Sequence, residues 1–459
     1  MAPGPYGETR RLRRQDMVAI LAAVVALALA VVGAATYAAK QTTVRARTVV
    51  ALGHSPGDLG KTTAATEDSL RRFWSEQLPA TYHKAFEDLR GGFRPTSPRS
   101  PPFSCGGARQ TYDDIRGNAF YCPTDDYVAY DAALLLPRLD RYFGNVAPAI
   151  VLAHEMGHAV QNRAGVAGPS IVVELQADCF AGAWIEFAQA SDTDRVAVVD
   201  AALDSAVAAI LTLRDQLGTP VTNPRAHGLG FDRVNAFQTG YDGGADACAP
   251  FPAQGVVTTE LPFPTVKEQL IGGNLPYDTA VPVFADSLDG FWVASLPTLR
   301  PDRRFVPPRR APRPAPPLPP CPGGRTDDPR TVIAYCPATN TVAWVNPLLR
   351  RVHDTLGDFA TATLLAEQWG RAAQTRAGLP VDGPQAGLQR DCFTGAWISA
   401  IGSSGVAQLL LSPGDLDEVL LTILVTSFDP RVAPTNRGTA FERTQALRRG
   451  VLSGRSACR

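Results

Sequence analysis

The sequence predicts an α+β chain: a single N-terminal transmembrane helix, then two homologous domains in which helices predominate beside a small antiparallel hairpin or sheet. Three observations predict it. Residues 17–39 run for 23 positions without a charge. The chain beyond them repeats itself over most of its length. Its eight cysteines fall four to each copy, in the same order. At 459 residues the chain also exceeds what one core usually covers, so two domains are the default.

Residues 1–16 are polar and carry Arg10, Arg11, Arg13 and Arg14. At about 1.5 Å per residue the run that follows spans roughly 34 Å, enough for a hydrocarbon core of about 30 Å. A cleaved secretory signal has a shorter apolar core, so an uncleaved anchor is expected. The arginines before it, against Lys40, Arg45 and Arg47 after it, place the N-terminus inside. The expected localisation is a single-pass cell-membrane protein, its N-terminus cytoplasmic and both domains extracytoplasmic. The expected organisation is a cytoplasmic tail (1–16), an anchor (17–39), a tether (40–66), a first domain (67–249), a linker (250–281) and a second domain (282–459). Cysteine usage agrees with export, because disulfides persist in oxidising compartments.

The repeat is specific. Asp68-Ser69-Leu70 with Phe73-Trp74 returns as Asp286-Ser287-Leu288 with Phe291-Trp292, and Tyr121-Cys122-Pro123 returns as Tyr335-Cys336-Pro337. Leu175-Gln176 with Asp178-Cys179-Phe180 returns as Leu388-Gln389 with Asp391-Cys392-Phe393. Four cysteines in each half leave three pairings within a domain. The pairing nearest in sequence is Cys105–Cys122 with Cys179–Cys248, mirrored by Cys321–Cys336 with Cys392–Cys458. Within the second domain, Arg300 to Pro322 is rich in proline and arginine and is expected to be an extended, polyproline-like, solvated loop.

The chemistry gathers at Ala153-His154-Glu155-Met156-Gly157-His158, read with Glu174-Leu175-Gln176-Ala177-Asp178-Cys179. On a helix stopped at Gly165, His154 and His158 stand one turn apart on one face and can reach one metal ion. Glu155, beside the first ligand, is placed to take a proton from a metal-bound water. A catalytic zinc site uses three protein ligands. Gln161 and Ala164 stand where a metzincin needs Gly and His, which excludes that third ligand. Glu174 is the candidate instead, with Asp178 one turn on as an acceptor that orients an imidazole. Both belong to a second helix expected from Ile171 to about Ala188, and Gly157, Ala177, Ala181 and Gly182 would let the helices approach closely.

These residues resemble the bacterial family of putative neutral zinc metallopeptidases, which are membrane-anchored relatives of the gluzincins. The resemblance runs from about Asp68 to Cys248 and includes HEMGHAVQNRAG, ELQADCFAGAW, the FYCP stretch at Phe120 and the His227-Gly228 pair followed by an arginine. It implies that His154, His158 and Glu174 are zinc ligands and Glu155 the base, and that two gluzincin-like domains follow each other. It also implies an oxyanion-stabilising role for His227, which lies after the third ligand.

The second copy departs from that pattern. His154, Glu155 and His158 become Glu367, Gln368 and Arg371; Glu174 becomes Gly387 and His227 becomes Arg437, while Asp178 survives as Asp391. One zinc per chain is therefore expected, in the first domain alone. Glu367 and Arg371, four apart, are expected to form an ion pair in the volume the metal would fill. Lysine plus arginine equals aspartate plus glutamate, 44 each, so no global field attracts nucleic acid and no nucleic-acid partner is expected. The reading is hydrolysis of a peptide or protein substrate, with Asp126 to Tyr130 as the edge strand that an extended substrate joins. Two alternatives use the same residues: a non-catalytic envelope scaffold that keeps metal for structure, and a zinc amidase acting on cell-wall peptides.

Overall fold

The computed structural model describes residues 58–458 apart from 191–199, 221, 224–225, 257, 260–262, 264, 323–330, 405–408 and 428–436. The described part starts with a long helix, α1 (Asp58–Tyr82), followed by strand β1 (Gly92–Thr96), a ribbon of β2 (Phe103–Cys105) and β3 (Ala108–Gln110), and strands β4 (Ala119–Cys122) and β5 (Tyr127–Asp131). Five helices complete this half: α2 (Leu135–Phe143), α3 (Val146–Ala164), α4 (Ser170–Ala190), α5 (Asp200–Thr212) and α6 (Gly230–Cys248). The second half runs α7 (Tyr277–Leu299), β6 (Arg309–Arg313), β7 (Ile333–Cys336), β8 (Thr341–Val345), α8 (Asn346–Leu356), α9 (Asp358–Ala377), α10 (Pro384–Ser404), α11 (Asp415–Ser427) and α12 (Ala440–Ser453).

Each half has the same layout. Its three-stranded sheet has the order β1-β5-β4 in the first half and β6-β8-β7 in the second, the first pair parallel and the second antiparallel in both. The opening and fourth helices of each half are tied by the same bond: Trp184 Nε1 donates to Ser69 Oγ at 2.9 Å, and Trp397 Nε1 to Ser287 Oγ at 3.0 Å. Trp74 stands edge-on to Phe180 as Trp292 does to Phe393, and burying such rings is worth about 1.5–3 kcal/mol each. The α4–α6 crossing is close enough to exclude a side chain. A Cβ on Gly182 would lie 1.9 Å from the Phe237 carbonyl oxygen, and one on Gly240 1.7 Å from that of Cys179. Gly182 thus serves α6 rather than α3; Gly157 alone of the expected glycines faces the α3–α4 contact, where a Cβ would lie 3.1 Å from the Ala177 Cα. The disulfide Cys179–Cys248 closes the same crossing, Cys392–Cys458 its counterpart, and Cys105–Cys122 and Cys321–Cys336 pin the strands.

Several expectations need correction. The segment 17–39 lies outside the described residues, and no helix among the described residues is long and apolar enough to cross a membrane. Correction is therefore due to the expected single transmembrane helix, the single-pass cell-membrane localisation with extracytoplasmic domains and the membrane as a partner, none of which the described residues support. The apolar helices present, such as α4, are apolar because other helices surround them. The fold class is corrected with it. Helices dominate, and the strands form mixed sheets with a parallel edge rather than antiparallel hairpins alone. β5 is no edge: it lies between β1 and β4 and is buried along its length. The arginine-rich stretch is not wholly solvated either. Pro312 sits in edge strand β6, where a missing N–H is tolerated, and Arg310 pairs with Asp286 at 2.7 Å.

Candidate metal centre

Helix α3 is buried on nearly every face and ends at Gly165, whose left-handed backbone closes the last turn onto the Gln161 and Asn162 carbonyls. His154 and His158 project from it one turn apart, and Glu174 reaches them from α4. The Nε2 atoms of the two histidines are 3.1 Å apart. Glu174 Oε2 is 3.2 Å from the first and Oε1 3.5 Å from the second. Ligand atoms of all three lie within 4.8 Å of one another.

The neighbours fix what these nitrogens present. His154 Nδ1 is 2.9 Å from Asp178 Oδ1, and a carboxylate only accepts, so Nδ1 carries the hydrogen. His158 Nδ1 is 2.8 Å from Gln161 Oε1. That amide is oriented by its own donations from Nε2 to the Val173 carbonyl at 2.7 Å and to Gln176 Oε1 at 3.0 Å. In the neutral rings both Nε2 lone pairs therefore face inward, towards each other and towards a carboxylate. Such a group is repulsive until a cation enters it, which is the donor set of a zinc site. The surrounding carboxylates favour positive charge in this cluster, whether it arrives as a metal ion or as a proton. Burial alone would lower the His154 pKa, but Asp178 and Glu174 outweigh it and raise it to about 10. Burial alone would raise Glu174, but the two imidazoles hold it far below the carboxylate range.

Asp178 is anchored in turn. Arg233, buried on α6, grips it through Nε to Oδ2 at 2.7 Å and Nη2 to Oδ1 at 2.8 Å, and donates Nη1 to the Leu213 carbonyl. Glu155 lines a cavity of about 490 Å³ together with the three clustered residues, Tyr121 of β4 and His227. His227 is not part of the cluster. It is half exposed, its backbone N–H donates to Asp215 Oδ2 at 2.7 Å, and its Nδ1 is 3.3 Å from Asp215 Oδ1. That bond to Asp215 raises its pKa despite partial burial.

Gln161, Asp215 and Arg233 were not assigned from the motifs. Two of them carried a signal, since the repeat keeps Gln161 as Gln374 and Arg233 as Arg443. Arg443 grips Asp391 at 2.8 Å, and Gln374 Nε2 donates to the Ala386 carbonyl and to Gln389. Asp215 had no such mark.

The corresponding place in the second half is filled by protein. Glu367 pairs with Arg437 at 3.2 Å, not with Arg371 as expected; Arg371 turns outward to Asp382. Arg437 is the counterpart of His227, and its charge with those of Arg443, Arg390 and Arg371 lowers the Glu367 pKa against the effect of burial. Gln368, in the place of Glu155, accepts the Tyr335 N–H of β7 at 3.0 Å. A Cβ on Gly387 would meet the Arg437 Cα at 3.0 Å, so the backbone has closed over the third ligand's place.

The profile of one family, described as putative neutral zinc metallopeptidase, matches residues 99–251. An uncharacterized protein of Mycobacterium bovis is 33% identical over 216 residues, covering 41% of this chain and 69% of the relative, and uncharacterized proteins of Mycobacterium tuberculosis match to the same extent. The uncharacterized protein YpfJ of Escherichia coli is 32% identical over 149 residues, 28% of this chain and 52% of its own. No solved structure matches the chain.

Proposed function

Since this chain belongs to the putative neutral zinc metallopeptidase family, we propose that it hydrolyses peptide bonds with one zinc ion, held in its first half by His154, His158 and Glu174. The observation that carries the reading is the pair of inward-facing Nε2 atoms, 3.1 Å apart beside a carboxylate, with both Nδ1 atoms engaged elsewhere. Bound there, zinc supplies Lewis-acid polarisation of the scissile carbonyl and acidifies a water.

The rest is done by side chains. Glu155 takes the proton of the attacking water and passes it to the leaving amine, the acid–base role its place on the cavity wall allows. Asp178 and Gln161 hold the two imidazoles in the metal-binding tautomer, and Arg233 holds Asp178. His227, charged more readily because Asp215 accepts from it, donates to the oxygen that gains charge in the transition state. An extended substrate pairs with β4: it borders the sheet, has β5 on one side only, and sends Phe120 and Tyr121 into the cavity wall.

The test is cleavage of a denatured protein or a mixed peptide library by the purified zinc-loaded chain, beside Glu155→Gln. Wild-type cleavage that a chelator abolishes, zinc restores and the variant lacks supports the proposal. Equal cleavage by both proteins, or none by zinc-loaded wild type on any peptide pool, overturns it.

A further inference from the structure

A second group of clustered acids lies in the half that lost the zinc ligands. Asp358 opens α9, and Asp415 and Glu418 lie in the first turn of α11. One carboxylate oxygen from each lies within 4.8 Å of the others, and all three residues are more than nine-tenths buried. Hydrogen bonds account for part of this set. Asp415 accepts from the Ser412 N–H and hydroxyl, Glu418 Oε2 from the Phe359 N–H at 2.9 Å, and Asp358 Oδ2 from the Leu275 N–H at 2.8 Å. Asp358 Oδ1 is left wholly buried with no partner, in a residue only 2% exposed.

No basic side chain among the described residues pairs with any of the three; the nearby Arg214 is taken by Asp417 at 2.9 Å. Buried carboxylates without a counter-charge cost several kcal/mol each, and burial with mutual repulsion pushes Asp415 up to about 8 and Glu418 up to about 10. The spacing fits a metal. Oxygens up to 4.8 Å apart can share one ion at calcium's 2.3–2.6 Å, and an all-oxygen set selects a hard cation over zinc. The backbone lets the Glu418 carboxylate come this close to the opening of α9. At Gly357, with φ +104°, a Cβ would lie about 2 Å from the Glu418 carboxylate. The offset of 213 that aligns His154 with Glu367 puts Asn145, Ala202 and Ser205, none of them acidic, at the matching places of the first half.

We propose that the second half binds one calcium-class divalent cation through Asp358, Asp415 and Glu418. The ion clips α9, the degenerate counterpart of the zinc helix, to α11. Asp417, next to Glu418, caps the helix that carries Arg233, so the ion also steadies the support of the first-half site.

The test titrates calcium into the full, zinc-loaded chain by calorimetry and follows thermal unfolding. One Ca2+ per chain is expected, with a Kd at or below about 1 mM and a rise in Tm of a few degrees. Asp358→Asn, which keeps an acceptor for the Leu275 N–H, is expected to weaken calcium at least about tenfold with zinc content unchanged. Absence of calcium uptake by wild type, including the case in which acidification alone stabilises the protein, overturns the proposal. So does uptake that persists undiminished in Asp358→Asn. Should that variant fail to fold, the wild-type titration decides alone.

Discussion

Asp417 of the second half accepts the backbone N–H of Phe231 in the first at 2.8 Å, and that of Gly230 at 3.1 Å. The reverse contact exists too: Asp204 of the first half accepts the Phe441 N–H at 2.7 Å. Each copy thus caps the last long helix of the other, and the two share one continuous core. The capped helix α6 carries Arg233, which holds Asp178, which holds His154. The second half thereby helps to hold the geometry of the His154, His158 and Glu174 cluster in the first.

Asp417→Ala is expected to cost about 1–2 kcal/mol of stability, the usual worth of a helix cap, with Arg214 losing its partner as well. Urea unfolding measures it. Zinc affinity should fall less than on direct loss of Asp178, because Arg233 stays in place.

Asp178→Asn should weaken zinc about 10- to 100-fold, as loss of an orienting carboxylate does, while Asp391→Asn should leave zinc affinity unchanged. Both changes strand a buried arginine, so both should destabilise the fold. Equilibrium dialysis separates the two effects, and equal zinc loss in both would contradict the role given to Asp178.

Installing the ligand set in the second half, by Glu367→His, Gln368→Glu, Arg371→His and Gly387→Glu together, should not create a second zinc site. The Arg437 backbone occupies the space a side chain at 387 needs, and Arg390 stands where the first half has Ala177. Metal analysis should find no added equivalent.

Asp232 is buried, and that desolvation raises its pKa to about 7 although the Thr259 N–H and hydroxyl donate to it. The folded state therefore binds more protons than the unfolded state between about pH 4 and 7, so stability falls as pH rises through that window. The slope is about 1.4 kcal/mol per pH unit where the difference is one full proton. Asp232→Asn should flatten it in unfolding measured across that range.

The clustering of His154, His158 and Glu174 was legible because their spacing on two helices puts the three side chains on facing turns. The Cys179–Cys248 and Cys392–Cys458 pairs were legible because the repeat doubled the information. What the sequence hid was long-range. β5 looks like any short alternating strand until β1 is seen to lie parallel to it. The Glu367–Arg371 spacing favours a helical pair, yet Arg437 arrives from 70 residues away and wins. Asp215, which turns His227, sits in a loop with no pattern to mark it.

The most direct test of the whole account is the zinc content of the purified full chain, measured beside Glu174→Ala. About one zinc per chain in wild type, lost in the variant, is the predicted result. Two zinc ions per wild-type chain, or one that survives Glu174→Ala undiminished, would contradict it.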